Sequence, residues 1–197
     1  MPNSEMKPVP AATVAILREA PKTQELEALL LLRNSKLAFH GGHWVFPGGR
    51  IDRGDFDSDS GLEYQAAKRA AVRETYEETG IEIDESDLVH TAHWTTPPNL
   101  PRRFCTWFFV CTLRDAVSVN VDYAEILDHR WLTPSAALKA ADASKFVLPR
   151  PTLVTLKDIA PYKTRAALDD YLAEGKIRVF PDASPFYNPE EMGLKLG

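Results

Sequence analysis

Residues 46–81 place a glycine pair, Phe46-Pro47-Gly48-Gly49, ahead of an acidic run, Arg73-Glu74-Thr75-Tyr76-Glu77-Glu78-Thr79-Gly80. A short apolar segment that breaks into two glycines lets the backbone turn tightly and expose its carbonyls. On a helix, residues three and four apart share a face, so Glu74, Glu77 and Glu78 project together. Clustered carboxylates repel one another unless a cation neutralises them. Oxygen ligands of this kind suit Mg²⁺ or Mn²⁺, with waters and substrate phosphates completing the shell. Arg73 precedes Glu77 by four residues and can hold that carboxylate while leaving oxygens free for metal. Gly80 ends the helix. An acidic helix face alone is an ordinary solvated surface. The order strand, glycine loop, acidic helix is what predicts a site for a metal-bound phosphate.

These residues resemble the Nudix box, Gly-x5-Glu-x7-Arg-Glu-U-x-Glu-Glu-x-Gly-U, where U is a bulky aliphatic residue. Arg73, Glu74, Glu77, Glu78, Gly80 and Ile81 fall in register, with Thr75 replacing one aliphatic. Five residues after Gly49 stands Asp55, where the family has Glu. Gly49 and Arg73 lie 24 positions apart against 14 in the family pattern, so 10 residues are inserted after Asp55. Counting back from Arg73 puts Gln65 at the Glu position instead, and both registers stay open.

The insertion is similar to that of Nudix hydrolases such as the peroxisomal coenzyme A diphosphatases, whose boxes are interrupted. RRFCTWFF at Arg102 to Phe109 and LPRPTLVTL at Leu148 to Leu156 also resemble that branch. Leu29 to Arg33, followed by Gly42-x3-Phe46-Pro47-Gly48-Gly49, partly resembles the coenzyme A motif LLxxR…GxxxFPGG, although Ala38 stands near the place of a further arginine.

The length of 197 residues suits one domain with an appendage. The resemblance implies an α/β fold, a Nudix-type α/β/α sandwich with a mixed sheet, over residues 8–160. Residues 161–197 form a C-terminal helical extension and arm on the same domain. The net charge of −5 argues against non-specific binding of nucleic acid or an anionic membrane. A polyanionic substrate then needs local help from metal or clustered arginines. Cys105 and Cys111, the only cysteines, lie in one apolar run. On a strand they would sit about 20 Å apart, too far for a disulfide. Buried free thiols in a reducing cytosol fit better. The start, MPNSEMKPVPAA, has no apolar core of a signal peptide. No stretch approaches the ~20 apolar residues of a membrane span. The C-terminus is not a peroxisomal address. The expected location is cytoplasmic.

Ala11 to Leu17 and Glu27 to Leu32 read as buried strands, joined by a turn at Pro21 to Gln24. Arg33 closes the second, either as a surface charge or as a bidentate contact to a substrate phosphate. The loop from Leu37 to Trp44 carries Phe39, His40, His43 and Trp44. An aromatic wall against a nucleobase (Phe39, Trp44) and simple core packing of Trp44 are both open. The insert FDSDSGLEY reads as a solvated loop, with Asp57, Asp59 and Glu63 as alternative ligands. Leu62 to Thr79 forms the helix, with Ala67, Ala71 and Thr75 facing the sheet. Leu88 to Trp94 and Phe104 to Leu113 pair as strands. Pro134 opens a helical region, 135–141, 151–159 and 164–174, with Leu153, Leu156 and Ile159 in the core. The tail from Lys176 suggests a short strand and a packed arm.

The resemblance implies a metal-dependent hydrolase of a nucleoside diphosphate derivative, coenzyme A or acyl-coenzyme A by preference. ADP-ribose, NADH or a dinucleoside polyphosphate is the alternative, and a regulatory domain that binds a nucleotide without cleaving it is a different class. The metal ligands would be Gly49, through its carbonyl, Glu74, Glu77 and Glu78. Arg73 would orient them, and Glu77 or Glu125, from the loop before Trp131, would act as general base. Arg33, Arg50, Arg102 and Arg103 would contact substrate. Homodimers are frequent in the family, which makes a second copy a candidate partner.

Overall fold

The computed structural model describes residues 7–37 and 40–194. β1 (Val9–Glu19) runs through the middle of a mixed sheet. On one edge it is parallel to β6 (Phe104–Thr112), in register from Val9 opposite Phe104 to Leu17 opposite Thr112. Its other edge is shared. Leu17 to Glu19 pair with β2 (Leu26–Arg33), whereas Ala11 to Thr13 pair with β4 (Gly48–Arg50). β2 diverges from β1 and takes β7 (Ile126–Leu132) along one side and β3 (Trp44–Val45) at its end. Beyond β6 come β5 (Val89–Thr95), antiparallel, and β8 (Arg178–Phe180), parallel to β5.

Strand periodicity sorts the side chains into two cores. Ala12, Val14, Ile16, Leu29, Leu31, Trp107, Phe109 and Cys111 meet α1 (Glu63–Thr79). Ala15, Leu17, Ala28, Leu30, Phe108 and Val110 meet α2 (Pro134–Asp142), α3 (Arg150–Ile159) and α4 (Arg165–Ala173). The result is an α/β/α sandwich. The α1 face expected against the sheet, Ala67, Ala71 and Thr75, is fully buried, and Ala66 and Ala70 join it. Small side chains let the helix axis approach the sheet closely. On α3, Leu156 and Ile159 are buried as expected, but Leu153 is only half buried because Thr152 and Thr155 turn inward instead.

The tail supplies the short strand and the arm. After β8 the arm runs back to the start of α1, where the Tyr64 amide donates to the Met192 carbonyl at 2.9 Å. Met192, Leu194 and Tyr187 pack on the first core. Cys105 and Cys111 are buried and unpaired. Among the described residues no helix is long and apolar enough to cross a membrane.

Beneath the arm, β5 buries two histidines. His93 is fully buried, stacks on Tyr187 at 4.6 Å, and has no hydrogen-bond partner on either ring nitrogen among the described residues. His90 Nε2 lies 3.1 Å from the Ala92 carbonyl. Burial lowers the pKa of His90 to about 4 and of His93 to about 3. Both rings are therefore neutral in the folded chain and must charge on unfolding below the ordinary value near 6.5. Stability is complete above that value and is lost as pH falls below it. The loss amounts to about 1.4 kcal/mol per histidine at pH about 5.5. Between pH about 7.5 and about 5.5, His93→Phe should gain about 1.4 kcal/mol of urea stability relative to the native chain, because it removes one of the rings that must charge on unfolding. A stability difference between the variant and the native chain that is the same at the two pH values would contradict the burial of a neutral His93 ring.

Candidate functional site

β4 lies against both β1 and α1, and its glycines make that approach feasible. Gly48 has φ +153, and a Cβ there would overlap the backbone of Ala12 and Thr13. A Cβ on Gly49 would overlap the carboxyl group of Glu74. The glycine pair thus brings the β4 backbone directly against the acidic face of the helix. The Gly48 amide donates to Glu78 Oε2 at 2.9 Å.

Arg73 holds this corner together. Its Nε and Nη2 donate to the two carboxylate oxygens of Asp55 at 3.1 and 2.9 Å. Nη2 also donates to the Arg50 carbonyl at 3.0 Å, and Nη1 donates to Glu74 at 2.9 Å and Glu77 at 3.1 Å. Asp55 is 6% exposed and accepts the Asp52 amide as well. The paired carboxylate of Asp55 raises the pKa of Arg73, with Glu74 adding to the effect. Of the two registers open in the sequence, the arginine therefore takes Asp55 as partner. The insert begins after this pair. Arg69 ties it to α1 by donating to the Asp55 carbonyl at 2.8 Å and lying 3.6 Å from Asp57.

A second guanidinium faces two further carboxylates, Glu78 of α1 and Glu125. Arg33, at the end of β2, lies 3.5 Å from Glu78 and 2.6 Å from Glu125. Glu125 precedes β7 on a loop whose amides at Ala124, Glu125 and Ile126 all donate to Asp122 Oδ1. Asn34 joins this loop to the end of β2, donating from its side chain to the Ala124 carbonyl at 2.7 Å. Asp122 and Asn34 escape sequence reading, although an acid ahead of three successive amides is the pattern of a capped turn. Burial pushes the Glu78 carboxyl up to about 8 against the pull of the Gly48 amide and Arg33, while Glu74 and Glu125 push it further up. Glu74 is raised for the same reasons, burial first.

This donor set fits a divalent cation in its chemistry. Glu74 and Glu78, buried beside further carboxylates that help to raise their pKa, gain from a hard positive charge. As they stand, their oxygens face the two guanidiniums. Among the described residues no group of three or more His, Cys, Asp or Glu is arranged to hold an ion.

Other candidates lie apart. Trp44 is buried and stacks on Phe146 at 4.3 Å, so core packing accounts for it. Phe39 lies outside the described residues. His40 and His43 meet edge to face at 5.2 Å in the loop after Arg33. Arg50 is exposed, and its carbonyl is what binds Arg73. Arg103 is buried, donates to the Thr96 carbonyl at 3.1 Å and lies over the Phe186 ring, while Arg102 is exposed. In the insert, Asp57 accepts the amides of Asp59 and Ser60, which closes a turn, and Glu63 accepts from Trp107 Nε1 at 2.9 Å.

Known proteins are similar to this chain. The family model described as NUDIX domain matches residues 7–150. An acyl-coenzyme A diphosphatase NUDT19 from Xenopus laevis is 24% identical over 232 aligned positions, covering 71% of this chain and 61% of that protein. A peroxisomal coenzyme A diphosphatase ndx-8 from Caenorhabditis elegans is 37% identical over 78 residues, 40% of this chain and 30% of that protein. The chain thus spans less than two thirds of these curated relatives. A crystal structure of a NUDIX hydrolase from Alicyclobacillus acidocaldarius superposes with a TM-score of 0.71 at 21% identity, covering 86% of this chain and 97% of that one.

Asp55→Asn should cost about 3 kcal/mol, because it leaves the Arg73 charge short of its buried partner. Gln65→Ala should stay within about 0.5 kcal/mol. Thermal melts of the two variants check this. Equal melting temperatures would mean that the Asp55 pair does not anchor the corner.

Proposed function

The chain belongs to the NUDIX domain family, and from that premise we propose that it is a metal-dependent hydrolase that cleaves the diphosphate bond of a nucleoside diphosphate derivative. The observation that carries this reading is the approach of Glu74 and Glu78 to the glycine pair, with Arg73 joining Glu74 to Glu77 and Arg33 joining Glu78 to Glu125. Four acids and two guanidiniums in one corner suit a polyanion delivered with a divalent cation. Glu74, Glu77, Glu78 and the Gly49 carbonyl would hold Mg²⁺ or Mn²⁺. Bound there, the ion supplies charge neutralisation for the diphosphate and makes water more acidic.

The remaining work falls to side chains. Arg73 keeps Glu74 and Glu77 in place through three anchors at its own guanidinium. Arg33 offers a charged fork to a phosphate oxygen, the interaction for which arginine geometry is suited. Glu77 or Glu125 takes a proton from the attacking water. The water oxygen bonds to one phosphorus, the bridging P–O bond breaks, and the second phosphate departs with the bond electrons. With coenzyme A the products are phosphopantetheine and adenosine 3′,5′-bisphosphate.

Coenzyme A or an acyl-coenzyme A is the preferred substrate. Its support is the interrupted box, Arg33 ahead of Gly42 and the glycine pair, and the names of two relatives. ADP-ribose, NADH or a dinucleoside polyphosphate would use the same chemistry. On this reading residues 8–160 are the hydrolase unit and the helix and arm after them brace it. The reduced, buried cysteines suit the cytoplasm.

Turnover should be measured on coenzyme A, acyl-coenzyme A, ADP-ribose, NADH and diadenosine polyphosphates with Mg²⁺ or Mn²⁺. Coenzyme A species should lead, and Glu77→Gln should lower kcat at least about 100-fold with little change in melting temperature, since Glu77 is exposed. Gly49→Ala should likewise lose activity by displacing the Glu74 carboxylate, at a stability cost within about 1 kcal/mol. Wild-type rates in Glu77→Gln would refute the metal assignment. Silence across the panel would favour a binding domain without turnover.

A further inference from the structure

We propose that Tyr123 is a specificity residue whose ring stacks on the planar base of the substrate, an inference that rests on the nucleoside diphosphate reading above. Among the described residues Tyr123 is the most exposed large apolar side chain, at 73%. Its backbone is left-handed, with φ 57. Aromatic residues seldom adopt that conformation, which glycine or asparagine would accept more easily. Strain of this kind persists where the surrounding structure over-determines it, and such sites cluster around ligands.

The surroundings do over-determine it. On one side, Asp122 Oδ1 accepts the amides of Ala124, Glu125 and Ile126 at 3.0, 3.0 and 3.1 Å. On the other, Asn34 donates through its side chain to the Ala124 carbonyl at 2.7 Å and through its amide to the Glu125 carbonyl at 2.8 Å. The loop is bolted to the end of β2 before any ligand arrives. Two residues further on, Glu125 carries the 2.6 Å ion pair to Arg33, which also touches Glu78. Tyr123 therefore stands on a fixed support at the rim of the acidic corner, where a substrate whose diphosphate meets Arg33 would bring its attached nucleoside.

The loop backbone beneath the ring gives up little freedom on binding, and tyrosine has few torsions to lose. Stacking on a π-face tolerates any base, so the selection is for a planar aromatic group over none. This differs from the predicted wall of Phe39 and Trp44, since Trp44 is enclosed by the core.

The test compares wild type, Tyr123→Gly and Tyr123→Phe on ADP-ribose, coenzyme A and a dialkyl diphosphate that lacks a base, alongside titration with ADP alone. The glycine variant relieves the backbone while removing the ring, and should melt no lower than wild type. It should raise KM for both base-bearing substrates and Kd for ADP about 10-fold, with kcat changed less than about 2-fold. The preference for base-bearing over dialkyl substrates should fall by the same factor, and Tyr123→Phe should restore it. Unchanged KM and ADP affinity in an active Tyr123→Gly enzyme would overturn the stacking role and leave the hydrolase reading intact. A wild type that neither turns over the panel nor binds ADP would overturn both.

Discussion

The Arg73 guanidinium is where β4, the turn that follows it and α1 meet. Its five donors reach Asp55 from the turn ahead of the insert, the Arg50 carbonyl from β4, and Glu74 and Glu77 from its own helix. A planar fork can satisfy a bidentate carboxylate and still serve two further acceptors, which lysine could not do. The pair with Asp55 is the interaction that matters most, because that carboxylate is buried. An unpaired charge there would cost far more than a surface ion pair contributes. With Asp55 fixed, the chain can carry extra residues before α1 without moving the helix relative to the glycine pair.

Close approach is the second condition. Glycines at 48 and 49 remove Cβ atoms from the β4 backbone, and the row Ala66, Ala67, Ala70 and Ala71 removes bulk from the helix face below. Bulkier residues at either level would push α1 away from β1 and β4, and Glu78 could no longer reach the Gly48 amide at 2.9 Å. The acidic corner is thus a product of packing as much as of charge. Its carboxylates are desolvated because the helix lies so close, and desolvation is the leading cause of the raised pKa of Glu74 and Glu78.

Electrostatics explains how a chain of net charge −5 could accept a polyanion. The acids are countered locally by Arg73 from the helix and Arg33 from the end of β2. The two are far apart in sequence and share only the carboxylate cluster between them. Arg33 is the more adaptable of the pair, since its partners are the exposed Glu125 and one long contact to Glu78. Arg73 is bound on several sides and serves as scaffold.

Much of this was legible in the residues alone. Local patterns determined the strands at residues 11–17, 27–32, 88–94 and 104–113, the helix over residues 62–79, its glycine stop, the small-residue face and the acidic row, because each depends on spacing within a single element. The C-terminal strand and arm were legible only in outline, for lack of a clear period. Tertiary structure decided the partnerships. Asp55 rather than Gln65 took Arg73, because the insert loops out after the turn and leaves Asp55 beside the helix. Trp44 went to the core because β3 aims it at Phe146. Asp122 and Asn34, silent in the sequence, became the supports of the Glu125 loop. Spacing along one helix or strand fixes which side chains share a face. Which distant charges meet depends on how the elements stack, and no local pattern carries that information.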